Sequence, residues 1–174
     1  MTVAFLSLGS NIEPEKNLLE AVRLLSHKVK ILKASKVYLT KPLQQRLQPE
    51  YYNCVLKIET DIEPRKLKFD ALRTIEAELG RKRTQDKFAS RPIDIDLILY
   101  GNLALSTKDM TIPDPEIQER AFLAIPLFEI EPDLVLPITN EPIRELAARF
   151  KKPKIKELKC FTETLQSLVK GLGV

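Results

Sequence analysis

The sequence predicts an α+β fold of the ferredoxin-like kind, an antiparallel sheet with helices packed on one face. Three observations predict it. Segments with strand and helix periods follow one another in the order β-α-β-β-α-β. Two of the connections, 40–50 and 81–91, are long and polar, and long loops in compact domains are often functional. The 174 residues, 44% of them hydrophobic, suffice for one domain with one sizeable core.

Residues 2–8, TVAFLSL, read as a buried strand closed by Gly9-Ser10-Asn11. Pro14 opens a helix whose apolar stripe is Leu18, Ala21, Val22 and Leu25. Residues 29–39 form a second strand with weaker alternation. The loop TKPLQQRLQPE follows at 40–50, with two prolines and three glutamines, and residues 51–60, YYNCVLKIET, form a third strand. Pro64 opens a second long helix, with Phe69, Leu72, Ile75 and Leu79 on its buried face and Gly80 ending it. The loop 81–91, RKRTQDKFASR, carries five basic residues against one acidic. The fourth strand runs to Tyr100-Gly101. Residues 102–112 add a short edge pair, and Pro113 and Pro115 bracket a turn. Residues 117–130 carry a helical pattern through Ala121, Phe122 and Ile125, and Pro142 opens another short helix. The Lys-rich segment 151–174 reads either as a terminal helix packing by Leu158, Phe161, Leu165 and Leu168, or as a partner-binding segment.

The net charge of +4 fits an anionic ligand as well as plain solubility, and is too small to indicate nucleic acid. Cys54 and Cys160 form no metal-ligand spacing, and His27 is the one histidine, so a zinc site or a Ser-His-Asp triad is poorly supported. No segment reads as a signal peptide or a membrane span, which leads to an expected cytoplasmic location.

The chemistry concentrates in RPIDIDLILYG at 91–101. Ile93, Ile95, Leu97 and Leu99 fall on one parity and Asp94 and Asp96 on the other, with Cα atoms roughly 6.5–7 Å apart. Carboxylates at that spacing repel, and a divalent cation between them removes the cost. The competing reading is a solvated outer strand face. Arg91 and the cations Arg81, Lys82, Arg83 and Lys87 beside the pair favour a polyphosphate ligand, since Arg forks clamp oxygens that a metal does not bridge. Standing alone, that basic run would be a solvated surface. Tyr51, Tyr52 and Asn53 offer stacking faces and an amide to a flat heterocycle, or serve as core aromatics and a turn residue. Phe122 by itself reads as a core helix residue. No P-loop and no protein-kinase signature is present.

LSLGSN (6–11), YLTKPL (38–43), YYNCV (51–55), LGRKR (79–83), RPIDIDLILYG (91–101), IPDP (112–115) and ERAFLAIPLFEI (119–130) together resemble the 6-hydroxymethyl-7,8-dihydropterin pyrophosphokinase family of folate biosynthesis. The resemblance spans nearly the whole chain up to about residue 137. It implies the ferredoxin-like α+β fold with long loops over the active site. It implies transfer of pyrophosphate from ATP to the pterin hydroxymethyl group, leaving AMP, with two Mg²⁺ ions held by Asp94 and Asp96. Arg81 and Arg91 would contact phosphates and act with the two aspartates in catalysis. Glu76, Arg83, Arg91, Asp114 and Arg120 would lie on the ATP side. Tyr51 and Phe122 would sandwich the pterin, Asn53 would hydrogen-bond its edge, and Thr40 and Leu43 would add contacts. Asp114 stands where the family commonly has His, Phe88-Ala89-Ser90 where it often has Trp-Gly-Pro, and Gln44 where a glycine is common.

The expected organisation is a single catalytic domain over 1–174, with 151–174 a C-terminal extension, acting as a stand-alone enzyme. Its expected partners are ATP and the pterin, with no nucleic acid and no membrane, as a monomer or homodimer. The alternatives are a catalytically weakened pterin- and nucleotide-binding paralogue and a ferredoxin-like RNA-binding module. The latter lacks the paired aromatics that RNA-binding sheets display.

Overall fold

The computed structural model describes residues 1–173; Val174, the last residue of the expected domain, lies outside the described residues. Strands β1 (Thr2–Ser10), β4 (Tyr51–Thr60) and β5 (Asp94–Tyr100) form the middle and one edge of a six-stranded antiparallel sheet. Its order is β5-β1-β4-β3-β8, where β3 is Tyr38–Thr40 and β8 is Ile155–Glu157, and β2 (Lys30–Ala34) also pairs with β4. The second expected strand is thus two strands that share β4 end to end. Ser35 makes the break: its backbone N–H donates to the Val55 carbonyl, and its hydroxyl accepts from the Val55 N–H at 2.8 Å, replacing a ladder bond.

Helices cover both faces of the sheet, not one. On the first face lie α1 (Pro14–Ser26), the helix running from α2 (Pro64–Lys66) to α3 (Arg73–Glu78), and α6 (Lys159–Leu172). Leu18, Val22, Ile75, Phe161 and Leu165 meet Leu6, Leu56, Ile95 and Leu97 there. On the second face α4 (Ala121–Ile130) and α5 (Ile143–Arg149) pack against Phe5, Val55, Ile98 and Leu99. The α4 sequence AFLAIPLFEI is apolar nearly all round; Leu123, Ala124, Leu127 and Ile130 are buried against the sheet and α5, while Phe128 is exposed. The helix covers only part of the second face, and the rest is open over Ser7, Gly9, Asn53, Asp94 and Asp96.

Two periodicities differ from expectation. Leu99 does not share a face with Ile93, Ile95 and Leu97. A β-bulge opposite Phe5/Leu6 pairs Phe5 with Leu99 and Leu6 with Leu97, so Ile98 and Leu99 both reach the second core. The helix opened by Pro64 contains a π-helical stretch, Leu67–Leu72, between α2 (Pro64–Lys66) and α3 (Arg73–Glu78). The widened turn shifts the buried stripe to Leu67, Ala71, Leu72 and Ile75. Phe69 is only half-buried at the rim of the first-face core, where Arg73 lies 4.3 Å from its ring centre.

The 151–173 segment is built into the sheet and core. β8 pairs with β3, and α6 buries Phe161, Leu165 and Val169, while Leu158 and Leu168 are only partly covered. Thr162 accepts from the Val37 N–H at 2.9 Å and Gln166 donates to the Ala34 carbonyl at 3.2 Å, which satisfies backbone groups freed by the Ser35 break. The expected edge pair is β6 (Leu105–Ser106) with β7 (Thr111–Ile112). The helical pattern at 117–130 divides into a 3₁₀ turn at Pro115–Gln118 and α4, with Arg120 in extended conformation at the junction. No helix among the described residues is long and apolar enough to cross a membrane.

Candidate active site

A cavity of about 580 Å³ lies over the open part of the second face. Of the residues singled out in the sequence, Thr40, Leu43, Tyr51, Asn53, Arg91, Asp94, Asp96, Asp114, Arg120 and Phe122 line it. Alternation along β4 explains the tyrosines. Tyr51 faces the cavity, and Tyr52 packs on Phe161 of α6 with ring centres 5.8 Å apart. Asn53, also in β4, donates from Nδ2 to the Thr40 hydroxyl at 2.7 Å. Gly9 faces Asn53 across the β1–β4 ladder, and a Cβ at this position would stand 3.0 Å from Asn53 Oδ1. The backbone leaves room for the amide only because residue 9 is glycine.

The charges line the same cavity. Asp94 is gripped by Arg81 Nη1 at 2.5 Å and by Arg91 Nη1 at 3.2 Å. Asp96 has no hydrogen bond or ion pair among the described residues. Burial first, then the neighbouring Asp94, pushes its carboxyl up to about 7. Lys68, on the π-helical stretch, acts in the other direction on Asp96 and on Asp114. Asp114 takes a structural part as well: its carboxylate accepts from the Glu116 N–H at 2.9 Å and caps the 3₁₀ turn. Burial raises its pKa. Arg120 lines the cavity with its Nε buried and without a partner. Lys87, one of the loop cations singled out in the sequence, lines it too, as do Lys41 and Glu116, which the sequence did not single out.

Glu76, Arg81 and Arg83 stand apart, since none of the three lines the cavity. Glu76 is 3% exposed and accepts the Ile95 N–H at 2.9 Å. It pairs with Arg81, and with Arg83 Nη2 at 2.9 Å. Burial raises its pKa, opposed by the Ile95 N–H and by the arginines. Arg81 therefore bridges this buried carboxylate to Asp94, tying α3 and the start of the basic loop to β5.

The two loops above the cavity are stitched together. Arg46 pairs with Asp86 at 2.6 Å, and Gln48 donates to the Phe88 carbonyl at 2.9 Å. Asn11, nearly fully buried, donates to the Pro49 carbonyl and to Ser90 Oγ, both at 3.2 Å, and accepts the Arg91 N–H at 2.8 Å. No periodicity could show these contacts, because each joins segments about forty or eighty residues apart in the chain.

The donor set fits a hard divalent cation. Two carboxylates share one face of β5, one of them half-buried with no ion-pair partner, and no cluster of three or more His, Cys, Asp or Glu that could hold a metal occurs among the described residues. Mg²⁺ is bound in this way by one or two carboxylates, completing its shell from water and phosphate oxygens. Paired carboxylates, an orphaned arginine donor and loop cations, beside an aromatic-walled recess, define the class: a phosphoryl- or pyrophosphoryl-transfer site on a ferredoxin-like sheet.

Comparison with known proteins makes this specific. The family model described as 7,8-dihydro-6-hydroxymethylpterin-pyrophosphokinase matches residues 5–132, and the chain belongs to that family. It is 39% identical over 161 residues to the 2-amino-4-hydroxy-6-hydroxymethyldihydropteridine pyrophosphokinase of Haemophilus influenzae, covering 91% of this chain and 99% of that protein. The enzyme of the same name from Aquifex aeolicus is 36% identical over 146 residues, covering 83% of this chain and 90% of that protein. The folic acid synthesis protein fol1 of Pneumocystis carinii is 41% identical over 138 residues, or 78% of this chain, but the match spans only 18% of that longer protein. Among solved structures, Plasmodium falciparum HPPK-DHPS superposes with a TM-score of 0.68 at 16% identity, over 86% of this chain and 42% of that one, which supports the fold.

Proposed function

We propose that the cavity over β5 is where this pyrophosphokinase transfers the β,γ-pyrophosphoryl group of ATP to the hydroxymethyl group of 6-hydroxymethyl-7,8-dihydropterin, for folate synthesis. The observation that carries the assignment to residues is the meeting of two chemistries in one cavity: Tyr51, Asn53, Thr40, Leu43 and Phe122 line it together with Asp94, Asp96, Arg91, Asp114 and Arg120. The pterin hydroxyl oxygen forms a bond to the β-phosphorus, the bond from that phosphorus to the α,β-bridging oxygen breaks, and AMP and one proton leave. No protein nucleophile is needed.

Tyr51 and Phe122 stack on the heterocycle, and Asn53, held by Thr40 and given room by Gly9, reads its edge. Asp94 and Asp96 hold two Mg²⁺ ions, which when bound neutralise charge developing on the transferred group. Arg91 and Arg120, which line the cavity, supply forked donors to phosphate oxygens, and Arg81, outside it, holds Asp94. Glu76 with Arg83 serves the ATP side by holding Arg81 and β5 in place. The same reading treats 1–174 as one domain in which 151–174 supplies β8 and α6.

The test is nucleotide analysis. Mg²⁺-ATP with the dihydropterin is expected to give pterin-dependent AMP, abolished by EDTA. ADP as the product would refute pyrophosphoryl transfer, and pterin binding without AMP would mark a weakened paralogue. A second expectation concerns Gly9→Ala. The added methyl meets Asn53 Oδ1 at 3.0 Å, so the amide must shift by a few tenths of an ångström. The pterin KM is expected to rise by about tenfold, worth ~1.4 kcal/mol, with the KM for ATP unchanged. Equal rises in both would show a general distortion of the sheet instead.

A further inference from the structure

Gln48 lies three residues before Tyr51 and lines the same cavity. Its amide is divided between two tasks. Nε2 donates to the Phe88 carbonyl at 2.9 Å. Oε1 is shut off from solvent and has no hydrogen-bond partner among the described residues. The Phe88 bond fixes which way the amide faces, because the reversed orientation would set oxygen against oxygen. A buried amide oxygen without a donor is costly, so this one calls for a donor that the chain does not supply. The triphosphate of ATP offers only acceptors, and the donors of ATP are confined to its adenine amino group and ribose hydroxyls. The pterin, by contrast, carries N–H groups and a hydroxyl, and Gln48 belongs to the loop that enters the pterin wall.

The other end of the same amide touches the basic loop. Gln48 holds the Phe88 carbonyl and Tyr51 Oη reaches the Ala89 carbonyl at 3.5 Å, so two side chains of the pterin wall grip consecutive carbonyls. Those residues stand between Lys87 and Arg91, both of which line the cavity.

We propose that Gln48 is a positioning residue linking the two substrates: its Oε1 accepts a hydrogen bond from bound pterin, and its Nε2 thereby holds the Phe88 segment and the flanking cations over the nucleotide phosphates. The inference rests on the pterin assignment made above. By linkage, each substrate then tightens the other's binding by the same factor.

The experiment is equilibrium binding to the full chain of 6-hydroxymethyl-7,8-dihydropterin and of Mg²⁺ with α,β-methylene ATP, singly and together. For wild type, each ligand is expected to tighten the other. For Gln48→Met, which keeps the volume and loses both polar atoms, pterin affinity is expected to fall roughly 5- to 30-fold. Nucleotide affinity without pterin stays within about twofold of wild type, and mutual tightening disappears. Gln48→Glu keeps an acceptor and loses the donor to Phe88. It is expected to bind pterin better than Gln48→Met yet still show no tightening. A purely structural loop residue would weaken nucleotide binding in the absence of pterin as well. Pterin affinity of Gln48→Met equal to wild type, or tightening that persists in it, overturns the proposal while leaving the pyrophosphokinase reading intact. Wild type that binds no pterin overturns both.

Discussion

Replacing Asp96 with Asn is expected to remove pterin-dependent AMP formation while making the metal-free protein more stable. Both effects have one cause. Asp96 lies on the same face of β5 as Asp94, and burial with that neighbour pushes it up to about 7. Two arginines already hold Asp94, whereas Asp96 has no ion-pair partner among the described residues. Without metal, an ionised Asp96 is a cost of folding. The sign follows from proton binding. Between the ordinary carboxylate range and pH 7 the folded protein holds a proton that the unfolded chain releases. Wild type therefore loses stability through that window as pH rises, and the loss is complete above it. The Asn variant carries no such charge. Its advantage is expected to be small near pH 5 and to reach about 1–3 kcal/mol at pH 8, or some 2–9 °C in Tm for a domain of this size. Mg²⁺ should raise the Tm of wild type more than that of the variant. Activity is expected to fall by about 10³-fold or more, equivalent to ~4 kcal/mol of transition-state stabilisation. Thermal melts at pH 5 and pH 8, with and without Mg²⁺, and an AMP assay check it. An Asn variant less stable than wild type at pH 8, or one retaining a tenth of the activity, would refute the metal-face reading.

What the sequence shows of this arrangement is the part encoded within single elements. Strand alternation places Asp94 and Asp96 together, and this holds in the structure; the grouping of Tyr52 with Tyr51 and Asn53 does not, because the same alternation turns Tyr52 onto Phe161. Alternation fails past Leu97, where the bulge depends on β1 across the ladder and not on β5 itself. Ser35 breaks the second strand because its hydroxyl finds the Val55 N–H, a choice that only the paired strand determines. The second helical layer leaves only a weak trace in the sequence, the run of apolar residues in α4 interrupted by Glu129. The paired loops are the least legible part. Arg46, Gln48 and Asn11 each satisfy a partner that is remote in sequence, and Gly9 matters only through the amide opposite it. Asp114 shows the reverse case, in which a departure from the family pattern acquires a local reason as the cap of a 3₁₀ turn.

Glu76 is where local pattern and tertiary role diverge furthest, and its truncation is expected to have the largest effect on stability. One helical position past Ile75 a charged residue reads as surface, yet Glu76 is as buried as the core around it. Glu76→Ala takes the acceptor from the buried Ile95 N–H, removes one of two carboxylates from Arg81, and frees Arg83. An orphaned amide and a half-uncompensated buried cation together cost about 2–4 kcal/mol, a drop of roughly 5–15 °C in Tm. Glu76→Gln keeps an acceptor for Ile95 and is expected to cost about 1–2 kcal/mol. Function should follow by a separate route. Arg81 is shared between Glu76 and Asp94; with Glu76 gone, its whole charge falls on Asp94, where it competes with a divalent cation. The Mg²⁺ concentration for half-maximal AMP formation is therefore expected to rise several-fold in both variants, and saturating Mg²⁺ should recover most of the rate in Glu76→Gln. A Mg²⁺ dependence unchanged from wild type would mean that Arg81 does not regulate access to Asp94, and that Glu76 serves only to anchor β5.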